Sequence, residues 1–267
     1  MTTVKRIQIC ADDYGFDAAV SLAILEGIDS GRLSATSCMV LSPVWPREAA
    51  ALRERAGMAD FGLHLDVNEF AELAPGRSLS GWIAAAYLGR INGAEARMAV
   101  ARQLDAFEAA LKRPPDYLDG HQHVHQLPVL RTAVLAELSA RYGSSCALRS
   151  TRSRVWRGPK AAVIAALGSA ALRSDAHGMP MNTDFAGVYD FSPEADIAAL
   201  VANWLASLPD GGLLMTHPAR EAATETRPDP IRAARVKERA FWLSAEAGEL
   251  MARLGVQLGL SEDWPLA

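Results

Sequence analysis

Short apolar runs alternate with stretches of helical periodicity along almost the whole chain. Residues 4–11 are mostly apolar and end in Asp12-Asp13-Tyr14-Gly15, which predicts a buried strand entering a loop. Asp17 then stands at an N-cap position, Val20, Ile24 and Ile28 recur at helical spacing, and Gly31 ends the run. Residues 35–41 predict a second strand, and Pro46 leads a helix to about Gly57. A third strand is expected at 60–66, a long loop at 67–81, and helices at 82–88 and 94–112. In the longer of these helices Ala101, Leu104, Phe107 and Leu111 share one face. Pro114-Pro115 punctuates the chain before a fourth strand at 117–120. Pro128 suits the first turn of a helix that Gly143 terminates. A fifth strand follows at 146–149, then one alanine-rich helix over 159–173, a strand at 188–191, a helix at 193–207 and a strand at 213–216. The tail predicts a helix from about Ile231 and a last strand near 256–258.

Strands alternating with helices argue for parallel β/α units. Seven or eight such units favour a distorted or incomplete (β/α) barrel over an open doubly wound α/β sheet. No Gly-x-Gly-x-x-Gly follows the first strand, so a dinucleotide site has little support. Barrels of this kind reach roughly 250 residues as one unit, so residues 1–267 are read as a single domain.

Composition narrows the picture. Half the residues are hydrophobic and 22% are charged, which supports a sizeable core and excludes a disordered chain. The net charge of −4 gives no footprint for nucleic acid. Arg149, Arg152, Arg154 and Arg157 cluster, and such a cluster reads first as a solvated loop. The most apolar stretch, 161–172, falls short of the roughly 20 residues a membrane span needs. The N-terminus shows no signal-peptide core, and three cysteines fit no complete disulfide framework, so a cytoplasmic protein is expected. A homo-oligomer is compatible with all of this.

In β/α folds chemistry gathers at the carboxyl ends of the strands. Here Asp12 and Asp13 close the first strand, His64 and Asp66 the third, His121, His123 and His125 follow the fourth, Arg149 closes the fifth and His217 follows the 213–216 strand. Taken singly, the features have plain readings: Asp-Asp before Tyr-Gly is turn chemistry, and a lone His64 between leucines is a hydrogen-bonded core histidine. The Asp119-Gly-His-Gln-His-Val-His run points more firmly to metal. If that run is extended, His121 and His125 stand roughly 13 Å apart, beyond the reach of one ion with bonds of roughly 2 Å. At most one neighbouring pair of the run then shares an ion. A regular strand would likewise point Asp12 and Asp13 in opposite directions, and both enter one site only if the chain turns there.

Residues 11–15 (Ala-Asp-Asp-Tyr-Gly), 62–65 (Gly-Leu-His-Leu) and 119–125 (Asp-Gly-His-Gln-His-Val-His) resemble three signature motifs of the YdjC-like carbohydrate deacetylases. That family includes chitooligosaccharide and hopanoid-associated deacetylases. Residues 187–191 (Gly-Val-Tyr-Asp-Phe) and 211–218 (Gly-Gly-Leu-Leu-Met-Thr-His-Pro) resemble two more family segments, in the same order. The resemblance implies a distorted β/α barrel that hydrolyses N-acetyl groups from an acetylated sugar, oligosaccharide or glycolipid. It implies a divalent ion on Asp13, His64 and His121, with Asp12 as base by similarity to the wider polysaccharide deacetylases. Such mixed ligands accept magnesium or zinc foremost, and also manganese or cobalt. His217 is the candidate acid because histidine can hold a proton near neutral pH. Arg149 would orient Asp12 or substrate, His123 and His125 would support the ligands or line the cleft, and Tyr14 would stand beside the site. Tyr14 departs from the family's usual phenylalanine, and Val67-Asn68-Glu69 departs after the second motif.

Trp45, Trp82 and Tyr87 are candidate sugar platforms, and the proline-bearing stretch 218–230 a candidate lid. Three rivals share these residues. Two histidines and an aspartate also describe the triad of non-haem iron oxygenases. A phosphodiester hydrolase would recruit more cations or a second metal. A sugar- or metal-binding member without turnover would not need Asp12, Asp13 and His217 together.

Overall fold

The computed structural model describes residues 4–71, 73, 76–221 and 228–267. The first half runs β1 (Lys5–Tyr14), α1 (Ala18–Asp29), β2 (Ala35–Cys38), α2 (Trp45–Arg53), β3 (Asp60–Leu65), α3 (Leu79–Tyr87), α4 (Gly93–Leu111) and β4 (Tyr117–Gly120). The second half runs α5 (Leu130–Tyr142), β5 (Ala147–Leu148), α6 (Pro159–Ala166), α7 (Ser169–Asp175), β6 (Phe185–Ala186) and α8 (Ile197–Ser207). It ends with β7 (Gly212–Thr216), α9 (Arg232–Trp242), α10 (Ala245–Arg253) and β8 (Val256–Leu258).

The strands form one curled parallel sheet in the order β5-β4-β3-β2-β1-β7-β6, with β8 also on β1. β8 and β2 share one edge of β1 in succession: Gly259 N donates to Ile7 O at 2.9 Å and Ser34 N to Ile9 O at 3.0 Å. The two ends of the sheet do not pair directly. Instead Leu148 N donates to Pro180 O, and Asn182 bonds the backbone of Ser150 through both its amide atoms, at 2.7 and 2.9 Å. The side chain of Asn182 stands in for a strand at the seam of an incomplete barrel.

Strand alternation divides the core into two. Ile7, Ile9 and Ala11 of β1, Leu63 and Leu65 of β3, Leu118, Leu148 and Leu214 join the large cluster under the helices. Their neighbours Cys10, Tyr117, Ala147, Leu213 and Met215 form a second cluster inside the curl. Continuing the inward parity toward the strand ends reaches Asp12, His64, Asp119, Arg149 and His217. The strands read as unbroken apolar runs because both faces are covered.

Several expectations change. The helix expected over 159–173 is two helices, broken at Gly168, where an added Cβ would lie 2.2 Å from Gln126 O. The strand expected at 188–191 is absent; β6 lies just before it, at Phe185–Ala186. The helix expected from 193 starts at Ile197, because Asp196 caps it by accepting from Ala199 N. Arg149 and Arg157 are not part of a solvated loop, since both are buried against carboxylates. Trp45 and Trp82 are core residues rather than sugar platforms, and Tyr87 does not border the cavity described below. Cys10, Cys38 and Cys146 are buried free thiols. Among the described residues no helix is long and apolar enough to cross a membrane.

Candidate metal centre

The site begins with a distortion in β1. Its pairing with β2 shifts register between Ala11 and Tyr14, and Asp13 has φ 73°. A non-glycine residue at positive φ is uncommon and costs energy that the surroundings must supply. The bulge turns two consecutive carboxylates into the curl. Asp12 meets the fork of Arg149, with Nη1 and Nη2 donating to its two oxygens at 2.6 Å each. Asp13 Oδ1 instead faces His64 Nε2 at 3.3 Å and His121 Nδ1 at 3.0 Å.

His64 is aimed from behind. Its Nδ1 lies 2.6 Å from Asp119 Oδ1, which leaves Nε2 for Asp13. Such a carboxylate–histidine pairing fixes ring orientation and tautomer in metal sites. Asp119 Oδ2 accepts from Ser37 Oγ and lies 2.6 Å from Arg149 Nη2, so one guanidinium ties together both carboxylates of the inner face. The histidine run is not extended. Residues His121–Gln126 form a 3-10 turn with positive φ at Gln122 and His123, which separates the roles of the three imidazoles. His121 points to Asp13, and its ring lies edge-on to His64 at 5.5 Å. His123 packs on the Phe185 ring at 5.6 Å and borders the cavity. His125 tucks under Gly120, and its Nε2 bonds Arg149 O at 2.9 Å.

Other expectations land elsewhere. Tyr14 is not beside the cavity: it is fully buried, and its hydroxyl donates to Glu48 O at 2.8 Å. Asp66 accepts from the backbone of Asn68, Glu69, Phe70 and Ala71 and so shapes the loop after β3. His217 borders the cavity, lies edge-on to Phe191 at 5.2 Å, and donates its backbone N–H to Glu238. Part of the candidate lid, 222–227, lies outside the described residues, while Pro228, Asp229 and Pro230 line the cavity.

Two residues outside the sequence motifs complete the cluster. Arg235 of α9 donates to Asp13 Oδ2 at 2.6 Å. Glu238, one turn on, takes Tyr189 OH, Thr216 Oγ1 and His217 N. Arg235 and Glu238 share the face of α9 that carries Ala234, Phe241 and Trp242, and two charges on that apolar face are the signal by which the sequence could have shown them buried.

The electrostatics follow from burial and pairing. Burial opposes charge on Asp13, yet Arg235, His121 and His64 hold its carboxyl well below the usual carboxylate range. Burial also opposes charge on His64, but Asp119 and Asp13 outweigh it and push the group up to about 10. His123 and His125 have no such balance: burial pushes His123 well below the imidazole range and His125 down to about 4. Burial lowers His217 too, against the opposing charges of Asp13, Glu238 and Asp12.

The three donors of Asp13, His64 and His121 all lie within 4.8 Å of one another, a carboxylate and two imidazoles suited to a divalent ion. A second convergence, Cys10, Asp12 and Asp119, already holds a cation, because Arg149 Nη2 reaches Cys10 Sγ at 3.0 Å and both carboxylates at 2.6 Å. Above the first set opens a cavity of about 690 Å³ bordered by Asp12, Asp13, His64, His121, His217 and Arg235. Its far wall is aliphatic, from Leu79 and Ile83 of α3 and Val163, Ile164 and Leu167 at α6.

A family model described as YdjC-like protein matches residues 6–253. A carbohydrate deacetylase of Homo sapiens is 29% identical over 167 residues, covering 57% of this chain and 50% of that protein. A chitooligosaccharide deacetylase of Yersinia enterocolitica is 29% identical over 133 residues, covering 46% of this chain and 52% of that protein. The chain spans about half the length of the curated relatives it matches. Among solved structures, an Enterococcus faecalis V583 protein provisionally assigned to cellobiose-phosphate cleavage superposes with a TM-score of 0.74 at 21% identity, covering 97% of this chain and 98% of the other. A peptidoglycan N-acetylglucosamine deacetylase superposes with a TM-score of 0.53 at 10% identity, covering 100% and 91%. At such identities the two structures speak to the fold, a curled parallel sheet ringed by helices. The family model takes in every site residue from Asp12 to Arg235, and the chain belongs to the YdjC-like protein family.

Proposed function

We propose that the protein is a metal-dependent hydrolase that removes N-acetyl groups from an acetylated sugar, oligosaccharide or glycolipid. The observation that carries this reading is the convergence of Asp13, His64 and His121 at the floor of a cavity that Asp12 and His217 also border. The family's deacetylase members support the same reaction.

Asp13, His64 and His121 would hold the ion, with Asp119 orienting His64. When bound, a divalent ion supplies polarisation of the acetyl carbonyl and acidification of the attacking water. Asp12, held in place by Arg149, takes the proton of that water as the oxygen–carbon bond forms. The amine leaves with a proton when the carbon–nitrogen bond breaks, and His217 delivers it. Burial lowers the proton affinity of His217, so the proton it hands to the amine is the one Asp12 took from the water, and both groups are restored as acetate and the amine leave. The aliphatic lining from α3 and α6 can cover an apolar part of the substrate.

The test is to strip the protein with chelator, restore single divalent metals, and measure acetate release from N-acetylglucosamine saccharides and glycolipids without oxygen. Restored release that falls by at least about a hundredfold in Asp13→Ala and His121→Ala is expected. Release that survives chelation, or acetylated substrates left intact by a metal-loaded protein, would sink the proposal. Turnover that needs oxygen and a reductant would favour the oxygenase instead.

A further inference from the structure

Asp13 divides its two oxygens between two environments. Oδ1 faces His64 and His121, whereas Oδ2 accepts from Arg235 Nη2 at 2.6 Å. Arg235 is 2% exposed and borders the cavity. Its Nε lies 3.0 Å from Asp229 Oδ2, and its guanidinium carbon stands 5.4 Å from the centre of the Phe16 ring. Its backbone carbonyl accepts from Ala219 N at 3.1 Å, which ties α9 to the segment that follows His217.

A buried guanidinium between two carboxylates is a planar fork with little freedom to move. Two consequences reach the histidine side. Asp13 has one oxygen left to offer there, because the other is engaged. The charge on Arg235 also offsets that on Asp13, so an incoming cation meets less negative charge than a free carboxylate and two imidazoles would present. A cation that is less neutralised is held less tightly and draws more strongly on the oxygens it touches.

We propose that Arg235 is a positioning residue for Asp13: it restricts the carboxylate to one oxygen on the histidine side, lowering cation affinity while raising polarising power. Asp229 holds the guanidinium from behind and moderates its charge. This inference rests on the reading of Asp13, His64 and His121 as metal ligands.

The experiment titrates zinc and cobalt into chelator-stripped wild type, Arg235→Met, Arg235→Lys and Asp229→Asn by calorimetry, with the visible spectrum of the cobalt forms and acetate release recorded alongside. Arg235→Met is expected to bind the ions about tenfold more tightly, with altered cobalt bands and slower acetate release. Asp229→Asn is expected to bind about tenfold more weakly, because the cluster becomes more positive. Arg235→Lys keeps the charge and should stay within about threefold of wild-type affinity while its cobalt bands move, since the fork is lost. A purely structural Arg235 predicts weaker binding in every variant, so Arg235→Met binding no tighter than wild type overturns the inference. If circular dichroism shows that Arg235→Met does not fold, an unchanged affinity in Asp229→Asn overturns it instead. A wild-type protein that takes up no divalent ion overturns the metal reading itself, and the inference with it.

Discussion

His64 is held toward its protonated form by two carboxylates, where a metal-binding imidazole must give a proton up. Asp119 and Asp13 outweigh its burial and push it up to about 10, above the ordinary imidazole value in an unfolded chain. In the metal-free protein its stabilising contribution is therefore complete below about pH 6.5 and drains away as pH rises through about 10. An arriving ion must displace that proton, so cation affinity should rise about tenfold for each pH unit between about 7 and 9. Calorimetry in buffers of different ionisation heat should show about one proton released per ion. Affinity that is flat across this window would mean that His64 is already unprotonated there or binds no ion. In the sequence, a lone histidine between leucines reads as either a buried hydrogen-bonded residue or a ligand. The structure shows it buried and bonded, with Nδ1 on Asp119 and Nε2 turned to Asp13 Oδ1, which keeps the ligand role open.

Among the elements, the informative places are those where regular structure fails. The bulge at Asp13 and the 3-10 turn at His121–Gln126 each place a side chain that an ideal strand would have turned away. The requirement that the chain turn after Asp12 was legible from Tyr14-Gly15; the coil of the histidine run was not, because alternating histidines suit an extended chain equally well. The 188–191 motif shows the same limit. It reads as a strand, yet it crosses over β7 as irregular backbone. Gly187 permits the crossing, with φ 109° and an added Cβ only 2.1 Å from Met215 O. Gly187→Ala should cost at least about 1–3 kcal/mol and move Phe191 away from His217. Urea unfolding would measure it, and an unchanged midpoint would show that the backbone absorbs the methyl.

Across the whole molecule the weak place is the seam between β5 and β6. Both strands are two residues long, and the side chain of Asn182 closes the gap by bonding Ser150 on both its N–H and its C=O. Ser150 follows Arg149, so the seam also backs the residue that grips Asp12 and Asp119. Asn182→Ala should lose roughly 1–3 kcal/mol, the cost of leaving buried backbone groups unpaired, and should lower activity more than a surface substitution does. Guanidinium unfolding alongside acetate release checks both parts, and wild-type values for each would remove the seam's importance. At this scale too the site draws on the far end of the chain, for Arg235 lies 222 positions from Asp13.

The alternation of strands and helices, the parallel class and the gathering of Asp12, Asp13, His64, His121 and His217 at strand ends follow from the sequence alone. They depend on local periods, on caps such as Asp17, and on where strands end, all of which are written in neighbouring residues. Only the tertiary structure decided which charges meet. Arg149 reads in the sequence as a member of a basic loop or a partner of Asp12, and Arg235 as one of several charges on a helix; the fold buries both against the site's carboxylates. Burial and ion pairing join residues that no local pattern relates, because a charge is held inside only by an opposite charge brought there by the fold.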